Sequence, residues 1–184
     1  GTDYFLRSSV TRGAKSEEQR QYVRDRYDNN LRYIDDHLAR VFDALSPQDT
    51  VVILSDHGEE FWDHGGFEHG HSLYDELLRV PMVIKSPGVG AGRFDEPVSL
   101  LDLAPTLAGL AGLSTDGMVG WDLTELSHST QSADFSTRPH AFGRPLYGLR
   151  KWGSLKSGKK YVVSQGQEAV YDILADRADP VNLT

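Results

Sequence analysis

Hydrophobic and polar positions follow a helical period in the first quarter of this chain. Between positions 31 and 45 the apolar side chains recur mostly at spacings of three and four, which places them on one face of a helix. This apolar stripe consists of Leu31, Ile34, Leu38, Val41, Phe42 and Leu45. The pattern predicts a helix over residues 16–45, which Ser46-Pro47 ends because proline cannot continue a helix.

Two short uncharged runs predict buried strands. Thr50–Leu54 is rich in β-branched side chains, and Val80–Ile84 has the same character. Pro81 suits the beginning of the second strand, where the loss of one backbone donor is tolerated. Further along, Asp102 is placed to cap a helix that Gly112 can end.

The last third of the chain changes character. Residues 127–137 are polar and weakly patterned, which predicts a loop or linker. Four short runs then predict antiparallel strands, at Ala141-Phe142, Leu146–Trp152, Lys159–Ser164 and Ala169–Leu174. Gly153-Ser154 and Ser157-Gly158 are predicted to form turns between them.

Composition narrows the class of protein. With 39% hydrophobic and 25% charged residues the chain has an ordinary globular composition, and no apolar run approaches the roughly 20 residues of a transmembrane helix. A net charge of −8 disfavours nucleic acid as a partner, because phosphate binding needs clustered positive charge. The absence of cysteine excludes disulfides and thiol chemistry within these residues. Composition assigns no compartment.

The candidate chemistry begins where the first predicted strand ends, at Ser55-Asp56-His57-Gly58. In open α/β sheets ligands bind just beyond the carboxyl ends of the strands. Asp56 and His57 can both face a divalent cation there. Alternatively, Asp56 caps the following turn by accepting hydrogen bonds from backbone N–H groups.

The residues that follow favour a binding or catalytic role over a simple turn. Residues 56–71 hold four of the seven histidines together with five acidic side chains. Imidazole nitrogens and carboxylate oxygens bind metals, and histidine also titrates near neutral pH. The segment therefore suits a metal site or the stabilisation of an anionic substrate. The alternative is a hydrated polar loop in which the histidines have no shared role.

Five sequence elements in this order resemble one enzyme family. They are SDHGE at residues 55–59, HG at 69–70, LYDELLRVPMVIKSPG at 73–88, VSLLDLAPTLAGLAGL at 98–113, and an ending that contains YDILAD and DPVNL. This order is similar to the carboxyl-terminal half of sulfatases, which belong to the alkaline phosphatase superfamily. The resemblance implies an α/β fold, part of an alkaline-phosphatase-like sandwich with a mostly parallel sheet, plus a small carboxyl-terminal antiparallel subdomain. Residues 1–126 would belong to the catalytic domain, 127–139 to a linker and 140–184 to the subdomain.

The resemblance also implies roles for individual residues. Asp56 and His57 match the late metal-ligand pair of the family, whose cation is usually calcium, with manganese or zinc left open by the histidine. His69 stands where many sulfatases place a lysine that contacts the sulfate, so it would bind the ester oxygens or protonate the leaving group, or ligate a metal when neutral. His71 competes for the substrate-binding role. His64 matches a family position that more often shapes the loop.

The family's nucleophile has no counterpart among these 184 residues. Sulfatases carry a Cys-x-Pro-x-Arg or Ser-x-Pro-x-Arg segment near the amino terminus, where the first residue is oxidised to formylglycine, and neither pattern occurs here. The sequence therefore predicts the carboxyl-terminal portion of a sulfatase that acts on a small-molecule or carbohydrate sulfate ester and is inactive alone. A missing amino-terminal segment or self-association would cover its exposed sheet. The alternatives are a phosphodiesterase or phosphonate-ester hydrolase of the same superfamily, or a non-catalytic remnant.

Overall fold

A computed structural model describes residues 16–127, 132–143, 145–146 and 148–173. Two compact units divide the chain: residues up to 49 together with 59–69 form one, and residues 50–58 together with those from 70 onwards form the other. The predicted division of the chain at 126 and 140 stays a prediction. Among the described residues, no helix is both long enough and apolar enough to cross a membrane.

The first unit is built on the predicted long helix, α1 (Glu17–Asp43). Ser16 begins it with a capping box, in which its hydroxyl accepts from the Gln19 N–H at 3.2 Å and Gln19 Oε1 accepts from the Ser16 N–H at 3.3 Å. The prediction of a helix over residues 16–45 is thus confirmed to within two residues at its end. Of its apolar stripe, Leu31, Ile34 and Val41 are 48%, 51% and 52% exposed. The prediction that a missing segment or self-association covers the exposed sheet stays a prediction.

A short hairpin packs against α1. Its strands are β2 (Glu60–Phe61) and β3 (Phe67–Glu68), paired antiparallel. The ring of Tyr27 meets Phe61 edge-on at 5.0 Å, and Arg24 donates to the Phe61 carbonyl at 3.1 Å. These contacts attach the histidine-rich segment to a rigid helix.

The second unit begins with β1 (Val51–Leu54) and β4 (Met82–Lys85), which pair antiparallel with Val51 opposite Lys85 and Leu54 opposite Met82. Both strands were predicted within two residues. The predicted parallel sheet is not confirmed, since every strand pair in the described ranges is antiparallel. The prediction of two buried strands is wrong, since Ile53 of β1 is 36% exposed and Val83 of β4 is 56% exposed. An apolar run indicates that a strand suits burial, but it fixes neither the partner nor its direction.

The loop after β1 lies against a one-turn helix, α2 (Asp75–Leu78). The N–H of Gly58 donates to the carbonyl of Leu77 at 2.9 Å. A Cβ atom on Gly58 would overlap the carbonyl oxygen of Glu76. Glycine at this position therefore allows the loop backbone to touch α2.

The helix predicted after Asp102 is α3 (Leu103–Leu110), preceded by a 3₁₀ turn at Leu100–Asp102. Asp102 does not cap α3 through its side chain. It stands at the third position of a capping box begun by Ser99, whose N–H it accepts at 2.8 Å. The carboxylate is fully buried and also accepts from the Trp121 N–H at 2.9 Å and from Arg138 at 2.8 Å. One carboxylate thus joins three segments.

The prediction of a loop at residues 127–137 is wrong for its second half, which forms α4 (Ser132–Thr137). Residues 128–131 lie outside the described ranges. Phe135 is 1% exposed and forms a hydrophobic cluster with Leu123 and Leu126. A single aromatic side chain among polar neighbours gives almost no periodic signal, yet it supplies enough apolar area to hold the segment against a core.

The chain then forms a four-stranded antiparallel sheet in sequence order. Its strands are β5 (His140–Gly143), β6 (Lys151–Lys156), β7 (Lys159–Ser164) and β8 (Gln167–Asp172). The turn predicted at Ser157-Gly158 is confirmed, with φ of 48° and 75° as a two-residue hairpin turn requires. The turn predicted at Gly153-Ser154 is wrong, because both residues lie inside β6. Glycine suits position 153 of this strand because the Phe142 ring lies over it and would overlap a Cβ. Leu174, at the predicted end of the last strand, lies outside the described residues.

Replacing Arg138 tests how much its ion pair with the buried Asp102 carboxylate contributes to stability. Burial alone would raise the pKa of Asp102, but the hydrogen bonds from Arg138, Ser99 and Trp121 and the charge of Arg138 together lower it. Arg138→Met leaves that carboxylate unpaired, so we expect the free energy of unfolding at neutral pH to fall by about 3–5 kcal/mol.

The pH dependence follows from the sign of that shift. A lowered pKa contributes stability above the ordinary aspartate range, and this contribution is lost as pH falls through the folded-state value. The difference between the wild type and Arg138→Met in urea unfolding should therefore shrink in acid. As the control, Arg93→Met removes the exposed Arg93–Asp95 pair and should change stability by no more than about 0.5 kcal/mol. Equal losses of unfolding free energy in the two variants would contradict a stabilising role of the Arg138–Asp102 pair.

Gly58→Ala tests the contact between the loop and α2. The added methyl has no room beside Glu76, so we expect the free energy of unfolding to fall by about 1–3 kcal/mol in thermal or urea unfolding. Gly90→Ala is the matched control, because a Cβ at Gly90 meets no atom within 4 Å. Indistinguishable unfolding curves for the two alanine variants would show that the loop can move away from α2 at little cost.

Candidate functional site

Asp56 and His57 leave the end of β1 as a short turn. Ser55 fixes this turn, since its hydroxyl donates to the His57 carbonyl at 2.6 Å. Asp56 Oδ1 accepts from the His57 N–H at 3.1 Å, a local bond to the next residue and not to the residue two positions on, which an Asx turn would use. Its side chain is nevertheless 86% exposed, so most of the carboxylate is available to further ligands.

The two side chains are arranged like neighbouring ligands of one ion. Asp56 Oδ1 lies 3.8 Å from His57 Nε2. Two ligand atoms that each bind one calcium ion at about 2.3–2.6 Å lie roughly 3–4 Å apart when adjacent. His57 Nδ1 lies 2.8 Å from the Gly58 carbonyl, and because a carbonyl only accepts, Nδ1 carries the proton in this bond. The neutral ring then has its lone pair on Nε2, the nitrogen that faces Asp56. The donor set therefore fits a divalent cation.

His69 is held by an acidic partner that the sequence did not single out. Its Nδ1 lies 3.2 Å from Glu59 Oε1, and both side chains are partly buried, at 31% and 21% exposure. A carboxylate on Nδ1 fixes the orientation of the imidazole and places the basic lone pair of the neutral ring on Nε2. The arrangement suits a ring that exchanges a proton at Nε2.

Hairpin register brings these two residues together. Glu60 lies opposite Glu68 and Phe61 opposite Phe67, so one further step along the same register places Glu59 opposite His69. The signal in the sequence was the turn composition of residues 62–66, which is compatible with a hairpin. The sequence alone does not show the pairing, because Glu59 and His69 are ten positions apart and meet only once the hairpin forms.

Glu60 shapes the hairpin from inside. It is 1% exposed, and its Oε1 accepts from the backbone N–H groups of His64 at 3.1 Å and Gly66 at 2.6 Å. The bond to His64 uses its backbone, so the prediction that this histidine shapes the loop stays a prediction. Trp62 adopts a positive φ of 67°, which is uncommon for a bulky residue, and its ring stacks on Phe67 at 4.5 Å. The packed ring and the buried carboxylate together hold this backbone conformation.

His71 is half-buried and lies just before the buried residues Ser72 and Leu73, which lead into α2. It belongs to the same unit as Asp56 and His57, whereas His69 and Glu59 belong to the other unit. Among the predicted residues, the structure therefore brings Asp56 and His57 together, whereas the partner of His69 is Glu59, which was not predicted.

Comparisons with known proteins agree on one family. The Sulfatase family model matches residues 2–113. The chain is 30% identical to a choline-sulfatase of Rhizobium meliloti (strain 1021), over 92% of this chain and 34% of the relative. It is also 30% identical to an arylsulfatase of Clostridium perfringens (strain 13 / Type A), over 85% of this chain and 35% of that protein.

The fold of this chain is also similar to that of a solved sulfatase structure. The structure of a 2-O GAG sulfatase superposes with a TM-score of 0.63 at 25% identity, covering 73% of this chain and 31% of that protein. The chain thus spans about a third of the length of these relatives. With a family match over more than half of its residues and relatives that align with most of its length, the chain belongs to the sulfatase family.

Proposed function

We propose that this chain is the metal-binding carboxyl-terminal portion of a sulfatase that hydrolyses sulfate esters. Membership of the family supports the reaction class. The observation that carries the local proposal is the approach of Asp56 Oδ1 to 3.8 Å from His57 Nε2, at the end of β1. The relatives include a choline-sulfatase and a 2-O GAG sulfatase, so the alcohol part of the ester differs within the family.

Asp56 and His57 would hold a divalent cation. A carboxylate oxygen is a ligand for calcium, the cation that the resemblance implies, while the imidazole nitrogen leaves manganese or zinc as alternatives. When bound, such a cation would supply Lewis-acid chemistry toward the ester oxygens. The task of this chain is to present the ligands in a fixed orientation, which the Ser55 hydroxyl and the Gly58 carbonyl support through their bonds to His57.

His69 would serve as the group that binds or protonates the ester oxygen. In its protonated form the ring donates from Nε2, and Glu59 on Nδ1 both orients the ring and stabilises its positive charge. After proton transfer the neutral ring keeps its remaining proton on Nδ1. His71 is the alternative for the substrate-binding role.

The nucleophile would come from outside these residues. Formylglycine, which the resemblance implies, needs a Cys or Ser precursor in a segment that does not occur in this sequence. We therefore propose that the chain binds the cation but does not hydrolyse esters by itself. The related phosphodiester and phosphonate-ester reactions are distinguished by substrate tests on the complete natural protein.

Metal titration tests the ligand pair. We expect Ca²⁺ to bind the wild-type chain and its affinity to fall by about 10–100-fold or more in Asp56→Asn, because one charged ligand is lost. Asp116→Asn is the control, since it removes an equal charge from an exposed loop. Isothermal titrations with Ca²⁺, Mn²⁺ and Zn²⁺ would identify the preferred cation. Equal affinities in the two variants would remove Asp56 from the site.

Substrates with different leaving groups test His69. In the complete natural protein, His69→Gln should lower kcat/KM by about 10²–10⁴-fold for an alkyl sulfate. The same substitution should lower kcat/KM much less for a nitrophenyl sulfate, whose leaving group needs little protonation. His37→Gln, on the exposed face of α1, should change neither value. A loss independent of the leaving group would rule out acid catalysis by His69, and the selective loss appearing in His71→Gln would assign the role to His71.

A further inference from the structure

A buried ion pair joins the carboxyl-terminal sheet to α2. Lys160, on β7, is 2% exposed, and its ammonium group bonds to Asp75, whose side chain is 17% exposed. The ammonium also lies 5.8 Å from the centre of the Tyr171 ring, and that ring meets Tyr74 edge-on at 6.5 Å. Lysine is almost never this buried without a partner, so the pair with Asp75 is what makes the burial of Lys160 possible.

Asp75 is the first residue of α2, and the same helical turn contacts the loop that follows the candidate ligands. Leu77 is 5% exposed, and its carbonyl accepts the Gly58 N–H at 2.9 Å. Because a Cβ on Gly58 would overlap Glu76, the two backbones are in direct contact with no room between them. A shift of α2 must therefore move Gly58.

Gly58 in turn holds the ring of His57. Its carbonyl is the acceptor for His57 Nδ1 at 2.8 Å, the bond that leaves the lone pair on Nε2. Lys160 is thus connected to His57 through an ion pair, one helical turn, a backbone hydrogen bond and a ring hydrogen bond. Groups that orient a metal-binding histidine typically change metal affinity about 10–100-fold when they are removed.

We propose that Lys160 and Asp75 are positioning residues that fix α2 and, through Gly58, the orientation of the His57 ring. This inference rests on the proposed cation site, although its mechanical part concerns only the backbone contact between α2 and Gly58. The ion pair would make a carboxyl-terminal strand, 85 residues away from α2 in the sequence, part of the support of the site.

The neighbouring lysine supplies a matched control. Lys159 lies on the same strand and bonds to Asp172, its register partner on β8, with the two side chains 55% and 27% exposed. Lys160→Met and Lys159→Met therefore remove the same charge from adjacent positions of one strand. The first breaks the link to α2, whereas the second breaks a pair that stays within the sheet.

Amide hydrogen exchange on the metal-free chain tests the mechanical part. We expect protection of the Gly58 amide to fall by about tenfold in Lys160→Met and in Asp75→Asn, with the amides of β1 unchanged, and to stay at the wild-type level in Lys159→Met. Lys160→Arg, which keeps the charge, should retain most of the protection. Loss of protection spread evenly over β1 and Gly58 would show global destabilisation only and would overturn the proposal, as would unchanged protection of Gly58.

Ca²⁺ titration of the same variants tests the consequence for the site. We expect weaker binding by about 10–100-fold in Lys160→Met, with little change in Lys159→Met. If the wild-type chain binds no cation, the proposed cation site fails, while the exchange of Gly58 still decides whether the ion pair fixes the loop. If the cation binds equally to all variants although Gly58 loses protection, the positioning role toward His57 is refuted.

Discussion

The close approach of Gly58 to α2 is the constraint on which the geometry of the candidate cation ligands depends. Two adjacent residues with exposed side chains would ordinarily sample many orientations. Here both polar atoms of the peptide group that follows His57 are engaged, because the Ser55 hydroxyl bonds to the His57 carbonyl and the Gly58 N–H bonds to Leu77. Side-chain order at His57 therefore derives from backbone order, and only glycine at position 58 allows the backbone to come so close.

Two buried ion pairs join distant segments of the second unit in related ways. Arg138 reaches a fully buried Asp102, and Lys160 reaches Asp75. In each pair a basic residue from the later part of the chain meets an acidic residue at the beginning of a helical turn. A buried pair adds little net stability compared with apolar packing, but breaking it leaves a charge without a partner, so such pairs favour one arrangement of segments over others. The result is a unit whose carboxyl-terminal sheet and helical turns have defined contacts.

The hairpin of the first unit is held in place by other contacts. His69 follows a strand of only two residues, which by itself supplies little rigidity. Glu60 compensates by bonding the turn from within, and packing of Phe61 on Tyr27 attaches the hairpin to α1. The same register places Glu59 opposite His69, so the hairpin also sets the partner of the imidazole.

Local signals in the sequence determined the long helix, the positions of β1 and β4, the turn at Ser157-Gly158 and the family motifs around Asp56 and His57. Each depends on residues within a turn or two of one another, where periodicity and φ preferences act directly. Only the tertiary structure decided that β1 and β4 pair antiparallel, that Phe135 orders a helix in a polar segment, and that Glu59 meets His69. The same is true of Lys160 and Asp75, because the free energy of burying and pairing two charges depends on segments that are distant in the sequence and adjacent only after folding.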